Sequence, residues 1–132
     1  MVELKNIIGE ENNKMPPQIY ILTSESERFT REIYYAHRIA ELNRKSPVDV
    51  VFMDSEDYYP SVETYCSSNE TSPILVEKAD CENATDDFLR IFSYLQEHKN
   101  IRRVVALERI SEVESLEELF KKTNLDVEKM VV

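Results

Sequence analysis

Four carboxylates stand where a protein of strands and helices could use them. The apolar, β-branched run Val48-Asp49-Val50-Val51-Phe52-Met53 passes straight into Asp54, Ser55, Glu56 and Asp57, and a second run, Val104 to Leu107, ends on Glu108. Carboxylates at the carboxyl ends of buried strands lie where α/β proteins usually hold ligand or catalytic groups. Hard oxygen ligands suit Mg2+, and two such strand ends can be neighbours in a parallel sheet. A magnesium-dependent carboxylate enzyme is therefore one reading of Asp54, Glu56, Asp57 and Glu108. The plain alternative is that the first three form a solvated acidic turn.

Other chemistry is poorly supplied. Cys66 and Cys81 are the only cysteines, with no CxxC and no histidine near enough in sequence for a zinc site, so two reduced thiols in an intracellular protein are expected. Gly9 is the only glycine, whereas a glycine-rich phosphate loop or dinucleotide fingerprint needs several for backbone N–H groups to approach phosphate. No cofactor and no metal is assigned on these grounds. The net charge of −10 repels a phosphate backbone and disfavours independent nucleic-acid binding. Arg28, Arg31, Arg38, Arg44 and Lys45 could form a basic strip, but Glu25, Glu27, Glu32 and Glu41 are interleaved with them, as on an ordinary solvated helix. No apolar run is long enough to span a bilayer and no secretory signal opens the chain, so a soluble, uncleaved protein with no membrane partner is expected.

The elements that would hold the carboxylates alternate. With 132 residues the chain suits one domain, residues 18–132, preceded by an arm over 1–17 that ends in Pro16-Pro17. Leu4, Ile7 and Ile8 in that arm could hook onto a neighbour. Ile19 to Leu22 reads as a strand. Phe29, Ile33, Ala36 and Ala40 then mark the packing face of a helix that stops near Ser46-Pro47, with His37 as a packing histidine at its margin. Val48 to Met53 is the strand around which the rest wraps. A short helix through Val62 and Tyr65, a polar loop from Cys66 to Ser72, and a strand over Pro73 to Glu77 follow. The next helix, capped by Asn83 or Thr85, turns Phe88, Ile91, Phe92 and Leu95 inward. After the Glu108 strand, Ser111 to Glu114 has the form of a capping box for a helix burying Val113, Leu116, Leu119 and Phe120. Val127, Met130, Val131 and Val132 could add a last strand. Four alternations of strand and helix predict a mostly parallel sheet covered by helices.

This order of signals resembles the core of the RecA-like recombinases and their paralogues, over roughly residues 18–112. Val51-Phe52-Met53-Asp54-Ser55-Glu56 resembles the family strand that ends in a water-activating glutamate, which puts Glu56 at that position. Val104 to Glu108 resembles the Walker B strand, with Glu108 where its aspartate belongs. The phosphate loop G-x-x-x-x-G-K-[ST] would fall on Thr23 to Thr30, but Thr23, Arg28 and Phe29 replace the two glycines and the lysine, and only Thr30 fits. The resemblance therefore implies a truncated, P-loop NTPase-like α/β domain without a working phosphate loop, a relic of a nucleotide site that is not an enzyme.

A truncated sheet leaves an open edge to be covered. The resemblance points to the small non-ATPase subunits of recombinase-paralogue heterodimers, including Shu-type assemblies. It implies a nuclear protein that pairs with an ATP-binding recombinase paralogue and supports recombinase filaments on single-stranded DNA in homologous recombination, touching DNA only indirectly. No Phe-x-x-Ala is present, so filament contact would use another surface. Beside Leu4, Ile7, Ile8 and Val131, the aromatic run Tyr58-Tyr59, expected to be exposed after the acidic turn, together with Tyr34, Tyr35 and Tyr65, is the candidate supply of interface hot spots.

The competing fold is a cysteine-free thioredoxin-like interaction module, because Thr71 to Val76 resembles that family's proline strand. Such a fold needs a hairpin between the third and fourth strands. A helix from Phe88 to Leu95 would instead make a crossover.

Overall fold

The computed structural model describes residues 16–77, 84–108 and 113–132. Five strands, β1 (Gln18–Thr23), β2 (Val50–Asp54), β3 (Ser72–Val76), β4 (Arg103–Leu107) and β5 (Asp126–Val131), form one sheet in the order β3-β2-β4-β1-β5. Every pairing is parallel: Ile19 lies opposite Val104 and Val127, and Val50 opposite Ser72 and Val104. Parallel neighbours need crossovers, and helices α1 (Arg28–Lys45), α2 (Pro60–Ser68), α3 (Ala84–Glu97) and α4 (Val113–Lys122) supply them. Because α3 joins β3 to a parallel β4, no hairpin exists there, and the thioredoxin-like reading is overturned.

Alternation along the strands divides the core between two faces. Ile19, Ile21, Phe52, Val104 and Ala106 pack with Ile91 and Leu95 of α3 and Leu116 and Phe120 of α4. Tyr20, Leu22, Val51, Met53, Val105 and Leu107 pack with Tyr35, Ile39 and Leu42 of α1 and Val62 and Cys66 of α2. The chain is thus a three-layer α/β/α structure. The middle strand is β4, all five of whose residues are buried, while β2 stands one place from the centre.

The amino edge is locked by the half-buried Asp49 and the buried Arg103. Asp49 Oδ2 accepts from the backbone N–H groups of Arg102 (2.7 Å) and Arg103 (3.0 Å). The buried Arg103 donates to the Leu42 carbonyl at 2.9 Å and the Tyr20 hydroxyl at 3.2 Å, with its guanidinium over the Tyr20 ring. A cation facing the last carbonyls of α1 is also favoured by the helix dipole.

The largest departure from expectation is the rotation of α1. Its buried residues are Tyr35, Ile39 and Leu42, whereas Phe29 is 77% and Ile33 45% exposed. At about 100° per residue, the stripe through Phe29, Ile33, Ala36 and Ala40 lies roughly 120° around the helix from the buried one. Two apolar stripes compete, and the one with Tyr35, Ile39 and Leu42 fills the sheet face where two alanines would leave a gap. His37 is correspondingly exposed. Cys66, expected in a loop, is buried in the last turns of α2. Thr85 lies inside α3, and the expected caps at Asn83 and Ser111 fall outside the described residues, as do Leu4, Ile7 and Ile8.

Candidate functional site at the carboxyl edge of the sheet

The chain leaves β1 for the α1 face and leaves β4 for the α4 face, so the carboxyl ends of these neighbouring strands form a switch point. Open α/β sheets hold their ligands in such a crevice. Here side chains of the chain itself meet in it. Thr23, last residue of β1, donates its hydroxyl to Glu108 Oε2 at 2.7 Å, and the Ser24 N–H points at the same oxygen from 3.4 Å. The other carboxylate oxygen, Oε1, takes Arg31 Nη1 at 2.5 Å, in an ion pair whose two side chains are both mostly buried.

The helix turn explains why Arg31 reaches this point. Arg31 precedes Tyr35 by one turn on the inward stripe of α1, at the level where that stripe passes the strand ends. Burial works against its charge, but Tyr59, Glu108 and Asp57 around it prevail and its pKa is raised. Tyr35, beside it, is fully buried, and loss of solvent together with the Glu108 charge pushes its phenol far up.

The acidic turn after β2 closes the second half of the site. Asp54 caps a short 3-10 helix, Ser55–Asp57, by accepting from the Glu56 N–H at 2.7 Å. Asp57 is buried; it accepts from the Tyr59 hydroxyl and pairs with Arg28 Nε at 3.2 Å. Arg28 also donates to the Tyr58 carbonyl, and its guanidinium lies over the Tyr59 ring. Tyr59 is fully buried and meets Tyr35 edge-on, ring centroids 5.3 Å apart. Burial, then the bond to Asp57, raises its pKa. From α1, Glu32 accepts from the Ser61 N–H at 2.6 Å, satisfying an orphan amide in the first turn of α2.

Arg31–Glu108 and Arg28–Asp57 are thus two ion pairs fastening α1 to the ends of β4 and β2. A phosphate group does not fit this donor set. Both arginines nearest the crevice face carboxylates, and Glu25 and Glu27 add like charge at the mouth. The turn from Thr23 to Thr30 forms no backbone nest, because positive φ occurs among the described non-glycine residues only at Glu70 and Asn124. Ser24 instead folds the turn on itself, its Oγ accepting from the Ser26 N–H at 3.1 Å.

The sequence-predicted site residues do not stay together. Thr23, Arg28 and Glu108 belong to the network; Thr30 is half-buried on α1; Phe29 projects outward; Glu56 is exposed on the 3-10 helix. The carboxylates do not converge on a metal position: Asp54 caps, Asp57 serves Tyr59 and Arg28, and Glu108 serves Thr23 and Arg31. Among the described residues no three His, Cys, Asp or Glu side chains gather to hold an ion.

Of the proposed hot spots, Tyr59 is corrected to a core residue, because its ring fills the space between Tyr35 and Arg28 and its hydroxyl needs Asp57. Tyr58 is half-buried and donates to Glu63, the first cause of its raised pKa. Val131 is 67% exposed at the end of edge strand β5. Tyr35, counted from sequence among the hot spots, is likewise corrected to a fully buried core residue, and Tyr65 is half-buried against the same core. Arg31, expected on a solvated basic strip, was not singled out as a site residue, although its spacing with Tyr35, Ile39 and Leu42 marks one helix face. No family model matches the chain, and no curated protein matches its sequence.

Proposed function

We propose that the chain is a nucleotide-free, RecA-like subunit that pairs with an ATP-binding recombinase paralogue and acts by binding rather than catalysis. In this reading the partner supplies ATP and the DNA contact, and the pair supports recombinase filaments on single-stranded DNA during homologous recombination in the nucleus. The observation that carries it is the Thr23–Glu108–Arg31 network: at the switch point of an all-parallel sheet, the carboxylate that the resemblance assigns to the metal–nucleotide site is engaged by a threonine and an arginine of the same chain. Compatible with the same reading, no helix among the described residues is long and apolar enough to cross a membrane.

Calorimetric titration with MgATP tests the nucleotide half of the proposal. The isolated chain should give no saturable heat up to millimolar nucleotide, and the complex with the paralogue should bind with the stoichiometry of the paralogue alone. Saturable ATP binding by the isolated chain, lost on changing Thr23 or Arg31, would overturn it.

A further inference from the structure

The helix that fastens the site leaves an apolar flank outside. Phe29 and Ile33 are 77% and 45% exposed and one helical turn apart on the same side, while Tyr34, 43% exposed, lies roughly 100° further around the helix. The core does not need them, since Tyr35, Ile39 and Leu42 fill the sheet-facing side of α1. Clustered large apolar groups rimmed by charge mark interaction surfaces, and an exposed phenylalanine provides the anchor such surfaces use.

The rim identifies the occupant. Glu25 and Glu27 are exposed just before Phe29, and neither has an ion-pair partner among the described residues. The cations that could balance them are turned away: Arg28 pairs with Asp57, Arg31 with Glu108, and Arg38 with Glu41. Two copies meeting through this patch would oppose the same free carboxylates on chains that each carry −10. We infer that Phe29 and Ile33 form the apolar anchor of a docking surface for an amphipathic segment of a partner protein, its apolar face flanked by lysine and arginine. The inference deepens the partner-subunit reading and rests on it for biological role, while the surface itself can be tested separately.

The test uses Phe29→Ser with Ile33→Ser in the full chain, with Leu89→Ser, a 52% exposed position on α3, as control. Unchanged melting should show both variants folded. If wild type binds the recombinase paralogue, the double variant should lose at least tenfold in affinity and the Leu89 variant should not. Equal affinity in both variants would overturn the docking surface and leave the proposed function standing. Titration with a helical Leu/Lys peptide is run in parallel, against a Leu/Glu peptide of the same pattern. The expected result is saturable amide shifts at Phe29 and Ile33, at least tenfold weaker with the Leu/Glu peptide and lost in the double variant. Failure of the paralogue to bind while this result holds would overturn the proposed function but keep the surface. Shifts elsewhere, indifference to peptide charge, or a homodimer dispersed by the double variant would overturn the surface.

Discussion

Arg31 Nη1 lies 2.5 Å from Glu108 Oε1, joining α1 to the end of the middle strand at a crevice where a ligand of this sheet would be expected. The pair lies between the surface and deep-burial limits, where removing one partner leaves a mostly desolvated charge behind. Glu108→Ala should therefore destabilise the fold by about 2 kcal/mol, and a double-mutant cycle with Arg31→Ala should return a coupling of about 1–2 kcal/mol. Urea unfolding of the four proteins checks this; additive losses would mean the pair contributes nothing of its own.

Tyr59 separates an interface role from a core role. Tyr59→Phe keeps the ring against Tyr35 and removes only the bond to Asp57, and should lower stability by about 1–2 kcal/mol. Tyr59→Ala should lower it by about 3–5 kcal/mol through the cavity it leaves. Thermal melts of both variants decide the matter: if Tyr59→Ala melted with the wild type, the ring would not be part of the core.

Burial, followed by the nearby Glu63, pushes the Cys66 thiol up to about 12 from its ordinary 9.0. The native state consequently holds its proton at a pH where the unfolded chain releases it. That contribution to stability is fully present below about pH 9 and is lost as the pH rises toward about 12. Wild type should lose stability over this alkaline window more steeply than Cys66→Ala. At pH 8 the native thiol should react with a disulfide reagent far more slowly than in denaturant; equal rates would contradict its burial.

Arg103 tests the amino edge. Arg103→Met should lower stability by about 1–3 kcal/mol, because the Leu42 carbonyl and the Tyr20 hydroxyl lose a buried donor. Arg103→Lys should fall between the two, keeping the charge but not the fork that reaches both oxygens. Denaturant midpoints read the order, which reverses if charge burial is the net cost there.

Much of the fold was legible because strand and helix periods differ. The runs at Ile19–Leu22, Val48–Met53 and Val104–Leu107 and the stop at Ser46-Pro47 place β1, β2, β4 and the end of α1 within a residue or two. Strand order is another matter: β4 inserts between β1 and β2, a non-local choice that no local pattern encodes. The rotation of α1 was missed because Phe29-Ile33-Ala36-Ala40 and Tyr35-Ile39-Leu42 are both valid helical stripes, and only the shape of the sheet face decides between them. Glu108 at the end of a buried strand was readable from residue type. Arg31 was not, since an arginine among glutamates looks like a solvated helix position until the strand end opposite it is known.

The central claim, that the chain works as a paired subunit, is tested most directly by its mass in solution after co-expression with an ATP-binding recombinase paralogue. Light scattering on the size-exclusion peak should give a defined one-to-one complex. Separate elution of the two proteins, with this chain a well-folded monomer, would contradict the account and reduce the resemblance to a shared architecture.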